Sequence, residues 1–260
     1  MDSSTYKLYH KDCFDSREHL DTYFSDKDDM VFGEDFLLFP IEHLRKTFAL
    51  GHIKGDILID FSIGPVAHHL YSSCDFFKNI IVLKVSDRCI MELKRWADAR
   101  TGAFDWNHAA KLHVDTEGNS DELQEMNEKV KSAIHHVLKC DLEKPNITGL
   151  IVLPPADCII SAWLLDAVCK EQEDYIRGLS KLSGLLKPGG HLILIGVVDA
   201  TFFTNKKDRF HAFNYNERFA REAVEGAGFV IDCCKVKERT AVSDLTDYKG
   251  TIFIVAHKEQ

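Results

Sequence analysis

The chain has no C-x-x-C, no H-E-x-x-H and no block of like charge, and it has few glycines for its size, 15 in 260 residues. Its eight cysteines are scattered, with Cys233 and Cys234 adjacent, so a zinc site of regular spacing is excluded. Cys140, Cys158 and Cys233 lie in apolar runs, where a free thiol serves as a small buried hydrophobe, and no disulfide framework is expected. His68-His69 and His135-His136 are neighbouring pairs that point apart on a helix, so packed or solvated histidine is expected and no metal site. The net charge of −9 argues against nucleic acid or an anionic membrane as partner, because phosphate binding needs clustered Lys and Arg. No apolar run is long enough to span a bilayer, and the polar, acidic opening Met1-Asp2-Ser3-Ser4-Thr5 is unlike a signal peptide, so a cytoplasmic protein is expected. No repeat and no Gly-, Ser- or Pro-rich linker divides the chain, which is read as one domain over 1–260.

What is present is organised around Gly55–Leu70, GDILIDFSIGPVAHHL. Ile57, Leu58 and Ile59 read as a buried strand, Ser62-Ile63-Gly64-Pro65 as a tight turn, and Pro65 as a first helical position. A strand feeding a helix in this way turns free N–H groups toward a polar or anionic ligand. The turn alone, with one glycine, is also an ordinary βα connection. Further strands are predicted at Asn79–Val85, Leu138–Leu142, Ala156–Ser161, His191–Val198, Phe229–Val236 and Thr251–His257, the last two as a hairpin. Helices are predicted over Phe36–Phe48 (interrupted at Pro40), Asp87–Ala97, Glu122–Val137, Asp174–Leu186 and Glu217–Ala227. Leu186-Lys187-Pro188-Gly189-Gly190 is predicted to stop a helix and reverse the chain, and 99–122 and 199–214 to be irregular. Residues 1–50 form a helical cap, with His19, Leu20, Tyr23 and Phe24 at helical spacing. Its aromatics pack on the core or close over a flat ligand. Alternating strands and helices with a final hairpin call for an α/β fold, a mostly parallel sheet with one antiparallel strand and helices on both faces.

Several motifs together resemble one family. The turn after Asp60, the pair Asp141-Leu142, LPPADCIIS, LLKPGGHL, FDSREHLDTYF, AFDW and VLKCDL are similar to the nicotinamide, indolethylamine and phenylethanolamine N-methyltransferases. The similarity runs along nearly the whole chain. It implies a Rossmann-like class I methyltransferase with a seven-stranded sheet, a monomer that uses S-adenosyl-L-methionine to methylate a small-molecule amine. By the same resemblance, Ser62, Ile63 and Gly64 would line the methionine part of the cofactor. The residue ending strand two would meet the ribose, and Asp141 and Leu142 the adenine. Ala162, just past strand four, and Phe24 of the cap would also border the cofactor. The segment 199–214 would face the substrate.

The chain also departs from the family motif. Where the family has D-I-G-S-G-P, it has Asp60-Phe61-Ser62-Ile63-Gly64-Pro65, so Ser62 stands for a glycine. The family's strand two ends T-D-Y, and here it ends Leu83-Lys84-Val85. A lysine has only donors and cannot accept from two ribose hydroxyls. Asp87 is three residues along. His19, His68 and Cys89 replace a lid tyrosine, a helix-one tyrosine and an asparagine of the family. Gly196 replaces an aspartate of the nicotinamide enzyme, and Ala200 and Ala212 replace two serines. Each change has an ordinary reading, with Ser62 absorbed at negative φ and Lys84 turned to solvent. Together they motivate two functional readings: an amine N-methyltransferase with Asp199 orienting the amine and Tyr23 closing the site, or a lapsed homologue that binds without catalysis. The first requires an open hollow at the carboxyl ends of strands one, two and three, clear of Phe61, Ile63 and Lys84.

Overall fold

The computed structural model describes residues 6–26, 30–114 and 120–259. Seven strands form one sheet in the order β3-β2-β1-β4-β5-β9-β8, with β1 Gly55–Ser62, β2 Phe77–Lys84, β3 Ile134–Lys139, β4 Ala156–Ala162, β5 Leu186–Val198, β8 Phe229–Glu238 and β9 Gly250–Lys258. β9 runs antiparallel to both β5 and β8, and the remaining pairs are parallel. The antiparallel strand and the final hairpin match the expected architecture. Leu58, Ile59, Ile159, Ile160 and Ile193 are fully buried, as strands covered on both faces must be, so these segments read as unbroken apolar runs.

The order reverses between β1 and β4, and a crevice opens above the carboxyl ends of such strands. Over it lies the N-terminal cap: α1, Ser16–Tyr23, whose first turn donates to the Asp15 carboxylate, and α2, Phe39–Ala49, with Pro40 in its first turn after a π-helical segment at Glu34–Leu38. Buried Asp35 ties the cap to the β8–β9 hairpin, accepting from Lys237 Nζ at 2.7 Å, Tyr248 OH at 2.6 Å and the Ala241 N–H. Burial pulls its carboxyl up, but the bonds from Lys237 and Tyr248 outweigh that and hold it at about 2.

Helices α3 Asp87–Ala97, α7 Gln172–Leu185 and α8 Glu217–Gly226 lie within two residues of their predicted limits. Elsewhere the structure corrects the sequence reading. The helix predicted to Val137 ends at Ala133 (α5, Ser120–Ala133), and the third strand is Ile134–Lys139, not Leu138–Leu142. Pairing of this edge strand with Ile80–Lys84 overrides local helical spacing. The Leu186–Gly190 turn belongs to β5 instead: Ala156 pairs with Leu186 and Cys158 with His191, so the intervening residues bulge, with Gly189 at φ +73°. The segment 199–214 is not irregular, since β6 Phe202–Asn205 and β7 Asp208–His211 form a hairpin. Within 99–122 there is a short helix, α4 Asn107–Lys111, while 115–119 fall outside the described residues. No α-helix follows Pro65; a 3-10 turn at His68–Ser72 takes its place, so His68 and His69 are held in the core.

Candidate active site

Asp60 and Ser62 sit two apart at the end of β1, on one face of the strand. The Ser62 hydroxyl donates to Asp60 Oδ2 at 3.0 Å. Lys84, last in β2, reaches across from the neighbouring strand. Its ammonium donates to Ser62 Oγ at 2.6 Å, to the Ser62 carbonyl at 3.2 Å and to Asp60 Oδ2 at 3.3 Å. His69 Nε2 meets the other Asp60 oxygen at 2.6 Å. Lys84, Ser62, Asp60 and His69 are each 0% exposed. Burial pushes the Asp60 carboxyl up, and the charges of Lys84 and His69 more than reverse this, leaving it below its ordinary value. Lys84 is therefore not a solvated cation.

The turn beyond is also satisfied from within. Gly64 adopts φ +57°, and its N–H donates to Tyr9 OH at 2.8 Å. A Cβ at Gly64 would stand 2.7 Å from the His19 ring, so glycine is required on both counts. Tyr9 OH in turn lies 3.4 Å from Cys89 Sγ. Tyr9, His19 and Lys84 are all buried: His10 and Val85, next in sequence to Tyr9 and Lys84, border one cavity, His19 and Ile63 border another, and the two cavities share no lining residue.

One cavity, of about 560 Å³, is bordered by Asp141, Leu142, Cys140, His10, Lys170 and Glu171. The other, of about 60 Å³, is walled by Tyr23, Phe24, Trp163, Phe203 and His19, with Asp166 as its carboxylate. Asp166 lies in α6 (Leu164–Val168), just past β4 and the left-handed Trp163 at φ +56°. It accepts from the Val197 N–H and from Tyr215 OH, each at 2.9 Å. Burial with no cation beside it drives its carboxyl up to about 7. The sequence reading missed Asp166, though a carboxylate just past an apolar strand end, in SAWLLDAV, is a usable signal.

The structure gathers part of the predicted set. His19, Tyr23, Phe24 and Ile63 reach the smaller cavity, as do Ala200 and Ala212. Asp141 and Leu142 reach the larger one, and the Asp141 carboxylate accepts from the Glu143 N–H at 2.9 Å. His68 packs against Phe24, with ring centroids 5.1 Å apart, and Cys89 is wholly buried. Ala162 is buried at the end of β4, its carbonyl taken by the Ile63 N–H at 2.9 Å. Two residues lie elsewhere. Asp199 is exposed at φ +54° and borders neither cavity, its N–H donating to the Tyr215 carbonyl at 2.7 Å. Asp87 is exposed and pairs with Lys139 at 2.6 Å. Among the described residues no group of three His, Cys, Asp or Glu is placed to hold a metal ion, and no helix is long and apolar enough to cross a membrane.

The profile of the NNMT/PNMT/TEMT family matches residues 3–259. The chain belongs to this family. It is 33% identical to human nicotinamide N-methyltransferase over 245 residues, covering 94% of this chain and 93% of that one. It is likewise 33% identical to indolethylamine N-methyltransferase of Oryctolagus cuniculus, covering 94% and 92%, and 31% identical to phenylethanolamine N-methyltransferase of Macaca mulatta, covering 83% and 78%. Solved structures share the fold. A S-adenosylmethionine-dependent methyltransferase from Clostridium acetobutylicum gives a TM-score of 0.57 at 10% identity, covering 90% of this chain and 96% of that one. The N-methyltransferase NodS of Bradyrhizobium japonicum, in complex with S-adenosyl-L-homocysteine, gives 0.53 at 12% identity, covering 94% and 99%.

The residues fit the family's donor molecule at one end. The larger cavity is of ligand size and presents Asp141, a carboxylate able to accept from an amino group. At the other end the Ser62 carbonyl, the Gly64 N–H and the Lys84 ammonium already have partners within the chain, and Lys84 stands across the hollow that the first reading requires to be open. That end does not fit in the arrangement described.

Proposed function

We propose that this protein is a cytoplasmic, monomeric S-adenosylmethionine-dependent N-methyltransferase acting on a small amine. Membership of the NNMT/PNMT/TEMT family over residues 3–259 carries the reading. The larger cavity takes the adenine end of the donor through Asp141 and Leu142. The smaller takes the amine: Asp166 accepts its N–H, Tyr215 holds Asp166 in place, and Tyr23, Phe24 and Trp163 exclude water. The whole chain acts as one domain. The described residues of the 1–50 cap cover the site, and 199–214 supply its acceptor side, an assignment supported by Tyr23 OH, which donates to the Thr204 carbonyl at 2.8 Å and so joins α1 to the β6–β7 hairpin. The cavity volume of about 60 Å³ argues for a compact amine, being well below the roughly 150 Å³ of an apolar cavity known to bind benzene. A panel of aliphatic and aryl amines with radiolabelled donor tests this: methyl incorporation into a compact amine supports it, and no incorporation into any amine at millimolar donor overturns it.

One observation favours a second reading, a family member that binds without transferring methyl: the Lys84 ammonium is bonded to Ser62 and Asp60 at the strand ends.

A further inference from the structure

Three fully buried contacts coincide where the two cavities fail to meet. Lys84 donates its three hydrogen bonds to Ser62 and Asp60, the Gly64 N–H is spent on Tyr9, and the His19 ring fills the space where a Cβ of Gly64 would stand. An ammonium has three protons to donate, so Lys84 has none left for a ligand. Being buried, it is held by Asp60 and cannot depart without leaving that carboxylate with His69 as its one ionic partner, beside the Ser62 hydroxyl. A ligand long enough to pass from the Asp141 cavity to the Asp166 cavity must displace this wall, whereas one confined to the Asp141 cavity need not touch it.

We infer that Lys84, Ser62 and Tyr9 form an internal latch that bars the amino-acid half of the donor groove, so this chain recognises the adenosine half of its donor and gains little from the rest. The inference rests on the donor placement proposed above. It makes Lys84 a specificity-determining residue: the latch selects adenine nucleosides without an amino-acid tail, and methyl transfer requires the latch to open.

Titration calorimetry with adenosine and with S-adenosylhomocysteine reads the value of the tail directly. For the unaltered protein the two dissociation constants are expected within about threefold of each other. In the double variant Lys84→Asp with Ser62→Gly, S-adenosylhomocysteine is expected to bind about tenfold or more tighter than adenosine, the worth of one hydrogen bond to a charged group. Lys84→Met, which keeps the Asp60–His69 bond, is the second variant should the first lose its fold by circular dichroism, and there too the ratio should shift toward S-adenosylhomocysteine. The latch is overturned if the unaltered protein already prefers S-adenosylhomocysteine tenfold, and the proposed function then stands undisturbed. It is equally overturned if a folded variant leaves the ratio unchanged. Absence of binding by both ligands to every form overturns the placement of the adenosine half, and with it the donor part of the proposed function.

Discussion

The Lys84 ammonium lies 2.6 Å from the Ser62 hydroxyl, so the two strand-end positions at which this chain departs from the family motif are bonded to each other. They are not independent changes. Ser62 supplies an acceptor that glycine lacks, and Lys84 supplies the cation that balances Asp60. The pair is therefore best regarded as one feature with two residues.

That coupling is measurable. Lys84→Met leaves Asp60 buried with His69 as its remaining ionic partner, and loss of one member of a buried pair costs about 3–5 kcal/mol. Ser62→Gly removes a single acceptor and donor, at about 1 kcal/mol. The double variant should cost less than the sum by up to about 1 kcal/mol, since the bond that Ser62→Gly removes is already gone with Lys84. Urea denaturation of the four proteins reads this, and strict additivity would mean that the Ser62–Lys84 bond contributes nothing.

How much of this was legible in the sequence follows from the range of each interaction. Ile57–Ile59, Ile80–Leu83 and Leu192–Ile195 declare their strands through composition alone, because a strand covered on both faces needs apolar residues on both. The Ile134 strand hides behind histidines, since an edge strand is half exposed and its pattern blends with the helix before it. The β6–β7 hairpin is held by Tyr23 from far along the chain, so nothing local marks it. In the site, aromatic positions of the cap were readable from their spacing. The direction of Lys84 was not, because a lysine's four-carbon stem reaches either solvent or a buried partner, and only the neighbouring strand decides. Asp199 follows Gly196 closely in sequence yet is exposed, whereas Asp166 reaches the cavity from a separate helix.

Acid should weaken the protein through His19. Burial holds its ring at about 3, and Lys84 adds to the effect, against about 6.5 for an unfolded histidine. Between those values the unfolded chain binds a proton that the folded chain refuses. The contribution to stability is therefore complete above pH 6.5 and is lost as pH falls. From pH 7.5 to 5.5 it amounts to about 1.4 kcal/mol. His19→Phe keeps the aromatic contacts with Phe14 and Tyr23 and should lose less stability than the unaltered protein over that interval by this amount. An unchanged difference between the two pH values would show that His19 does not titrate as described.

Asp166 should act in the opposite sense. Its folded value of about 7 lies above the ordinary carboxylate range, so the folded chain keeps a proton that the unfolded chain has released. That stabilisation is present at low pH and is lost as pH rises through 7, by about 1.4 kcal/mol between pH 6 and 8. Asp166→Asn retains an acceptor for the Val197 N–H and removes the titration, so the stability of the unaltered protein relative to the variant should fall by about 1.4 kcal/mol over the same interval. The same variant should bind a small amine about tenfold or more weakly, having lost a charged acceptor, while adenosine binding in the larger cavity is unmoved. Equal losses for both ligands would point to a general disturbance.

Gly196 gives the sharpest test of how the acceptor cavity is built. A Cβ there would stand 2.3 Å from Tyr215 Oη and 2.9 Å from Asp166 Oδ2. Both neighbours are wholly or nearly wholly buried, and Tyr215 donates to Asp166, so neither yields freely. Gly196→Ala should therefore destabilise by about 1–3 kcal/mol, the usual range for an overpacked core. Tyr215→Phe removes the atom that makes the worst contact and also the bond to Asp166, at about 1–2 kcal/mol alone. In the double variant the clash with Oη no longer exists, so the combined loss should fall short of the sum by about 1 kcal/mol or more. Thermal melting of the four proteins measures the difference. A full sum would mean that the space beside Gly196 is closed by Asp166 rather than by Tyr215, and that a side chain can be admitted there only at the expense of the carboxylate proposed to face the amine.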